Sequence, residues 1–460
     1  VKRKRVLIAN RGEIAVRIIK ACEESDIETI LVVSEADRDS LPARLADKVV
    51  CIGPAQVNLS YLNIPMIIAT AQATGADAIH PGYGFLAENP DLPKACEDNG
   101  IIFIGPRSAT MRQLGDKISA RKIATQCGVP INEGSESLAN YNEVEAKAVE
   151  IGFPVLIKAS AGGGGRGMRI VRDANNLKNS FDMASSEARQ AFGDATLFVE
   201  RYIQNARHVE VQILGDNFGR VIHLGQRDCS SQRRYQKVVE EAPPFGLPVE
   251  LTDRISTAAV TLARSINYNS AGTVEFLVDM DRNQFYFMEV NTRIQVEHPV
   301  TEKVTGVDLV KEQIRIAFGH PLAMNQSDIR IKGHAIECRV TAEDGANDFT
   351  PTPGRITRFV VPYGENVRVD THCYQGYLIS PFYDSLMGKV IATGANREQA
   401  LENLKTALAD FEIEGVKSNI PFLRYLIAQP EFARSDINIK WIETTVLPGF
   451  LESLKSKPVT

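Results

Sequence analysis

The run Ala161-Gly162-Gly163-Gly164-Gly165-Arg166-Gly167 lies between two short apolar segments, Pro154–Ser160 and Met168–Asp173. Glycines lose more backbone freedom on ordering than any other residue, so such a run inside a hairpin implies a backbone that must approach another group closely. A phosphate chain suits it. Backbone N–H groups without a Cβ in the way can wrap a polyanion, and Lys158, at the end of the first segment, adds a point charge. The run is not a Walker A loop, because no G-K-[ST] opens a helix. A flexible linker would also be glycine-rich, but the flanking strands mark a hairpin within a domain.

Upstream, RVLIAN (5–10) reads as a buried strand, RGE as a turn, and IAVRIIKACEE as a helix with apolar residues three and four apart. ETILVVS, KVVCIG, ADAIHPG and IIFIGP add strand-length apolar runs, with helical patterns such as NIPMIIATAQATG between them. This alternation predicts an α/β domain with a doubly wound parallel sheet. Ligands bind such sheets outside the strand C-termini, which aims the loops 10–13 and 80–88 at a site, Tyr83 and Gly84 among them. No G-x-G-x-x-G follows the first strand, so a dinucleotide fingerprint is lacking. Beyond it the chain turns to α+β character. We divide it into an N-terminal domain over 1–114, a linker over 115–131, a small glycine-bearing lid over 132–203, and a larger mixed domain over 204–460. In the last, HVEVQILGD, RVIHLGQRD, TVEFLVDM and QFYFMEV read as long antiparallel strands, followed by a helix near 306–318.

The stretch TVEFLVDMDRNQFYFMEVN predicts a hairpin turning near Arg282, which places Glu275 opposite Glu289 between strands apolar on both faces. Two buried carboxylates repel. Either one is protonated, a hard divalent cation sits between them, or a buried salt bridge balances them. Asn291 shares the face of Glu289. The same parity continues through Arg293, Gln295 and Glu297, with Val290, Ile294 and Val296 opposite, which predicts a one-sided polar strand. Arg293 matches a planar oxyanion, Gln295 can donate, and Glu297 can act as a general base; a solvated edge strand would look similar. GQRDCSSQRRYQKVVEEAP gathers Arg227, Arg233, Arg234 and Lys237, either as an anion-binding groove or as an exposed basic strand. His208 is a nucleotide contact or an ordinary hydrogen-bonded histidine.

Charge makes any basic site local. Lys plus Arg total 52 against 57 Asp plus Glu, a formal net charge of -5, so there is no electrostatic footprint for nucleic acid or an anionic membrane. The seven cysteines form no C-x-x-C pair, which argues against a disulfide framework or structural zinc and fits a reducing, cytoplasmic compartment. The first apolar run stops at Asn10-Arg11, too soon for a signal peptide or a membrane span. Taken together, these groups point to an ATP-dependent transfer onto a small oxyanion.

ANRGEIAVRI, AIHPGYGFLAEN, IKASAGGGGRGMR, RDCSSQRRYQKVVEEAP, MEVNTRIQVEHPVTE, GHAIECRVTAED and SPFYDSLMGKVI, in this order, resemble the biotin carboxylase family of ATP-grasp enzymes across nearly the whole chain. The resemblance implies carboxylation of biotin at N1′ through carboxyphosphate, with ATP as substrate and two Mg²⁺ or Mn²⁺ ions. It implies that Lys117, Lys158 and the backbone of Gly163, Gly164 and Gly165 contact phosphates. Met168, Glu200, Arg201, Ile203, His208, Gln232 and Ile439 would form the nucleotide pocket, and Glu275, Glu289 and Asn291 the metal site. Bicarbonate would lie on Lys237, Arg293, Gln295 and the Val296 amide, with Glu297 as its base and Arg339 beside the biotin enolate. Tyr83 and Gly84 would face substrate.

Arg201 stands where many relatives have Lys, and Tyr235 where His or Asn is more usual, so Tyr235 receives no role. Arg17 resembles a dimer-interface residue, which implies a homodimer. No A-M-K-M-type biotin attachment sequence appears. The expected acceptor is therefore biotin on a separate carrier protein serving a carboxyltransferase, unless the chain is part of a longer enzyme.

Overall fold

The computed structural model describes residues 3–159, 168–192 and 195–456. Strands β1 (Arg5–Ile8), β2 (Glu28–Ser34), β3 (Lys48–Gly53), β4 (Ala78–His80) and β5 (Ile102–Phe103) form a parallel sheet in the order β3-β2-β1-β4-β5. Its central strands β1, β2 and β4 are apolar on both faces because both are covered, whereas the edge strand β3 is largely exposed. Val6 and Ile8 of β1 enter one core and Leu7 the other. The chain leaves β1 toward β2 and β3 on one side and returns to β4 on the other. The loops after β1 and β4 thus meet at the switch point, where open α/β sheets bind ligands.

A small sheet follows, with β6 (Val155–Ala159) between β7 (Met168–Val171) and β8 (Leu197–Arg201), all antiparallel. Helices Tyr141–Ile151 and Leu177–Phe192 cover it, burying Val144, Ala148, Val155, Ile157, Val171 and Val199. The glycine run, with Gly163, Gly164 and Gly165, lies outside the described residues.

The third region is an eight-stranded antiparallel sheet. Strands β9 (Ala206–Gly215), β10 (Val221–Arg233), β11 (Gln236–Ala242), β12 (Ser270–Asp279), β13 (Gln284–Asn291) and β14 (His334–Thr341) run in the order β13-β12-β9-β10-β11-β14, and strands Leu386–Gly394 and Val367–Thr371 complete it. On β9, Val209, Val211 and Ile213 enter one core, so His208, Glu210 and Gln212 take the opposite face. Phe276 meets Phe285 and Phe287 edge to face at 5.5 and 6.4 Å, pinning the β12–β13 hairpin to that core.

Two expectations change. The helix expected near 306–318 is preceded by another: His298–Thr305, with Pro299 in its first turn, ends at Gly306 (φ 73°), and Leu309–Ala317 follows. For the same reason the polar strand does not continue to Glu297. β13 ends at Asn291, and residues 292–297 bend out of the sheet to begin the Pro299 helix. β13 is an edge strand, so no neighbour holds those residues in line.

Candidate active site

A row of charges crosses the large sheet. Glu289 on β13 stands opposite Glu275 on β12, Glu275 opposite Glu210 on β9, and Glu210 opposite Arg227 on β10. Residues directly opposite share a face, so the row is one surface. Lys237 of β11 reaches into it. Its Nζ lies 2.6 Å from Glu210 Oε2, 2.8 Å from Glu275 Oε1 and 2.7 Å from Glu297 Oε1.

Glu275 and Glu297 collect the remaining groups. Glu275 Oε1 also accepts from Asn291 Nδ2 at 2.8 Å and Gln295 Nε2 at 3.3 Å, and Oε2 lies 3.2 Å from His208 Nε2. Arg293 donates to Gln295 Oε1 at 2.9 Å and pairs with Glu88 at 3.0 Å. Glu297 Oε2 lies 3.0 Å from Arg339 Nη2, and Arg339 Nε donates to Glu240 Oε1 at 2.6 Å. Lys389 donates to the Val296 carbonyl at 2.8 Å, and no hydrogen-bond partner of the Val296 N–H is found among the described residues. The bent 292–297 segment therefore delivers Arg293, Gln295 and Glu297 to one place by a loop instead of a strand.

The electrostatics separate the facing glutamates. Burial pushes the Glu275 carboxyl up, but Lys237 and His208 outweigh it and hold it below the usual carboxylate range. Glu297 behaves likewise, with burial overcome by Lys237, Arg339 and Arg227. Contrary to the expectation of two buried carboxylates, Glu289 is exposed on the edge strand while Glu275 is buried; neighbouring protein atoms and then the Glu275 charge raise the Glu289 carboxyl, opposed in part by Lys117 and His208. Lys237 and His208 are both raised: burial disfavours their charge, and the surrounding glutamates more than restore it. Glu289 is thus short of positive charge. Its position across the hairpin from Glu275, with Asn291 on the same face, fits a hard divalent cation. His208, Glu210 and Glu275 also bring one ligand atom each within 4.8 Å of one another.

The loops after β1 and β4 close one side. Asn10 Nδ2 donates to the Pro81 and Tyr83 carbonyls at 2.6 and 2.7 Å, across Gly82 at φ +62°, where a Cβ would fall 2.9 Å from that nitrogen. The Tyr83 hydroxyl donates to Glu13, and Tyr83 and Gly84 line a cavity of about 140 Å³. On the lid side, Lys158 and Arg121 pair with Glu200 at 2.5 and 2.9 Å, and Met168 lies opposite Lys158. The Ile203 N–H finds no acceptor among the described residues, while the Ile439 N–H donates to the Ala206 carbonyl at 2.9 Å. Gln232 donates to the Cys229 carbonyl at 3.3 Å. Arg201 faces Glu133 and the Ile151 carbonyl, so its charge is held at the lid edge.

The basic cluster does not form one groove. Arg227 is fully buried against Glu210, Gln212 and Thr301, whereas Arg233 and Arg234 pair with Asp348. The register shifts in β10 between Asp228 and Gln232 and the tight turn at Arg234-Tyr235, both at positive φ, carry Arg233 and Arg234 away, so that of the four cations Arg227 and Lys237 face the charged row. Sequence reasoning does not single out Glu210, Glu240, Glu13 or Lys389. The signal for Glu210 is present in the strict His208, Glu210, Gln212 alternation of an otherwise apolar strand.

Three family models match in chain order: Biotin carboxylase, N-terminal domain over residues 2–111; Carbamoyl-phosphate synthase L chain, ATP binding domain over 116–325; and Biotin carboxylase C-terminal domain over 337–444. Biotin carboxylase 1 of Bacillus subtilis is 49% identical over 97% of this chain and 99% of its own. The chain belongs to the biotin carboxylase family. Solved members of the family have the same ATP-grasp fold. The Campylobacter jejuni biotin carboxylase-beta-gamma-ATP complex superposes with a TM-score of 0.91 at 45% identity, over 96% of this chain and 99% of that one. The biotin carboxylase domain dimer of the Hydrogenobacter thermophilus 2-oxoglutarate carboxylase, in complex with MgADP, ADP and bicarbonate, gives 0.90 at 45% identity, over 97% and 98%.

Proposed function

We propose that this chain carboxylates biotin at N1′ with ATP and bicarbonate, releasing ADP and phosphate. The observation that carries the reading is Glu297, fully buried, with one oxygen on Lys237 and the other on Arg339. In this reading bicarbonate lies on Lys237, Arg293, Gln295 and the Val296 N–H. Its negative charge would share the Lys237 ammonium with Glu297, raising the carboxylate's basicity toward what a general base needs. Glu297 takes the bicarbonate proton, and the resulting carbonate oxygen attacks the γ-phosphorus of ATP, giving carboxyphosphate and ADP. Carboxyphosphate breaks to CO₂ and phosphate, the phosphate removes the N1′ proton, and the biotin enolate beside Arg339 attacks CO₂. Tyr83 and Gly84 would border the acceptor.

Lys117, Lys158 and the backbone of Gly163, Gly164 and Gly165 would hold phosphates. Met168, Glu200, Arg201, Ile203, His208, Gln232 and Ile439 would surround the nucleotide. Magnesium or manganese would be held by Glu275, Glu289 and Asn291, and when bound supplies positive charge to the phosphate oxygens. The four-part division of the chain belongs to the same reading, with 132–203 as a lid that excludes water from carboxyphosphate.

A separate biotin carrier and a carboxyltransferase would complete the reaction. A homodimer would form around Arg17, which pairs with Glu302 and Asp308 beside a surface hollow of about 400 Å³. The seven free cysteines suit a reducing compartment, and among the described residues no helix is long and apolar enough to cross a membrane. The match of residues 116–325 to a carbamoyl-phosphate synthase domain makes ammonia the rival acceptor. Bicarbonate-dependent ADP release should rise with free biotin and ignore ammonia; the reverse response would reject the proposal.

A further inference from the structure

Behind Arg339 lies a pair of acids that the reaction as written does not use. Glu240 on β11 and Glu337 on β14 stand directly opposite each other, and both are fully buried. Glu240 Oε1 accepts from Arg339, but its Oε2 has no partner among the described residues, nor has either oxygen of Glu337. An ionised carboxylate only accepts hydrogen bonds, and one buried with no donor to either oxygen is strongly disfavoured. A protonated carboxyl becomes a donor, and the acceptor in register is the free oxygen of Glu240.

The charged groups facing Glu337 are Lys389 from the neighbouring strand, Glu240, Arg339 and Glu297. Lys389 already serves the Val296 carbonyl and Glu13, at 2.8 and 3.0 Å. Arg339 already joins Glu240 to Glu297.

We propose that Glu337 is a neutral carboxylic acid whose hydroxyl donates to Glu240 Oε2, a positioning residue that fixes Glu240 as a single oriented carboxylate for Arg339. Burial first, and then the neighbouring Glu240, drive the Glu337 carboxyl well above the ordinary range; burial also lifts Glu240 to about 7. This is the behaviour of two like acids that hold one proton between them. Ionising both would put a second uncompensated charge beside Arg339 and draw the guanidinium away from Glu297. The role in turnover rests on the proposed function, in which Arg339 meets the biotin enolate; the proton count does not.

Infrared difference spectra of the unliganded full chain, wild type minus Glu337→Gln at neutral pH, test the proton. The expected result is loss of one protonated-carboxyl C=O band that shifts in D₂O. Loss of carboxylate bands alone would overturn the proposal. The role is tested by rescue. Glu337→Gln still donates an N–H and should keep biotin-dependent ADP release within about threefold of wild type, whereas Glu337→Met, with no donor, should lower it at least about tenfold. Equal rates in the two variants, high or low, would overturn the positioning role. A wild-type chain without biotin-dependent turnover would instead refute the functional reading, and the infrared band would still decide the proton.

Discussion

Glu297 illustrates how a single carboxylate can be prepared for one task and restrained from others. With Lys237 at 2.7 Å and Arg339 at 3.0 Å it is a weak base in the unliganded site, because burial is outweighed by those cations. In the proposed reading, an arriving anion that takes a share of Lys237 would remove part of that restraint, so base strength would appear when bicarbonate is bound. Glu297→Gln keeps the shape and removes the base. Biotin-dependent turnover should fall at least about tenfold, about 1.4 kcal/mol, while nucleotide affinity measured by calorimetry stays within about twofold. Unchanged turnover would remove Glu297 from the chemistry. Glu275 is legible in the sequence as a charge at a fixed parity in an apolar strand, whereas the parity that singles out Glu297 is one the backbone does not keep, since residues 292–297 bend out of the sheet. Glu240 and Lys389 are not legible, since their roles come from strands brought together across the sheet.

At the level of elements, β11 links the site to the C-terminal helices. Alternation sends Glu240 toward Arg339 and Glu241 to the other face, where it accepts from His334 at 2.7 Å and Arg397 at 2.6 Å. Burial raises the Glu241 carboxyl, but His334 and Arg397 prevail and bring it from 4.5 down to about 2. A depressed acid contributes stability that is complete above its unfolded value and is lost as pH falls through the folded one. Glu241→Gln should therefore cost about 3 kcal/mol at neutral pH, with the gap to wild type shrinking below about pH 4.5. Urea midpoints at neutral pH and near pH 3 check this, and a gap that persists in acid would contradict it. Element types were readable where periodicity was long, as in β9, β12 and the Ile14–Glu23 helix region. The break after Asn291 was not, because polar parity alone cannot distinguish a strand from a bend whose side chains converge on one cavity.

Across the whole molecule, buried ion pairs join the first and third regions. Glu13 meets Lys389 at 3.0 Å, Arg17 meets Glu302 at 2.8 Å, and Arg11, paired with Asp37, stacks on Tyr383 at 4.2 Å. These contacts bring the Tyr83 loop and the Glu297 turn to one cleft from residues more than two hundred positions apart. The parallel sheet and the third region's long strands follow from hydrophobic runs in the sequence, whereas the order of the strands and this docking depend on contacts that no local pattern reveals. The consequence for function is that phosphate, bicarbonate and acceptor would meet in one space shielded from water. Transfer of label from ¹⁴C-bicarbonate to free biotin, with and without ATP, tests that most directly. The account predicts acid-labile N-carboxybiotin that requires ATP and is strongly reduced in Glu297→Gln; ATP-dependent turnover that leaves biotin unlabelled would contradict it.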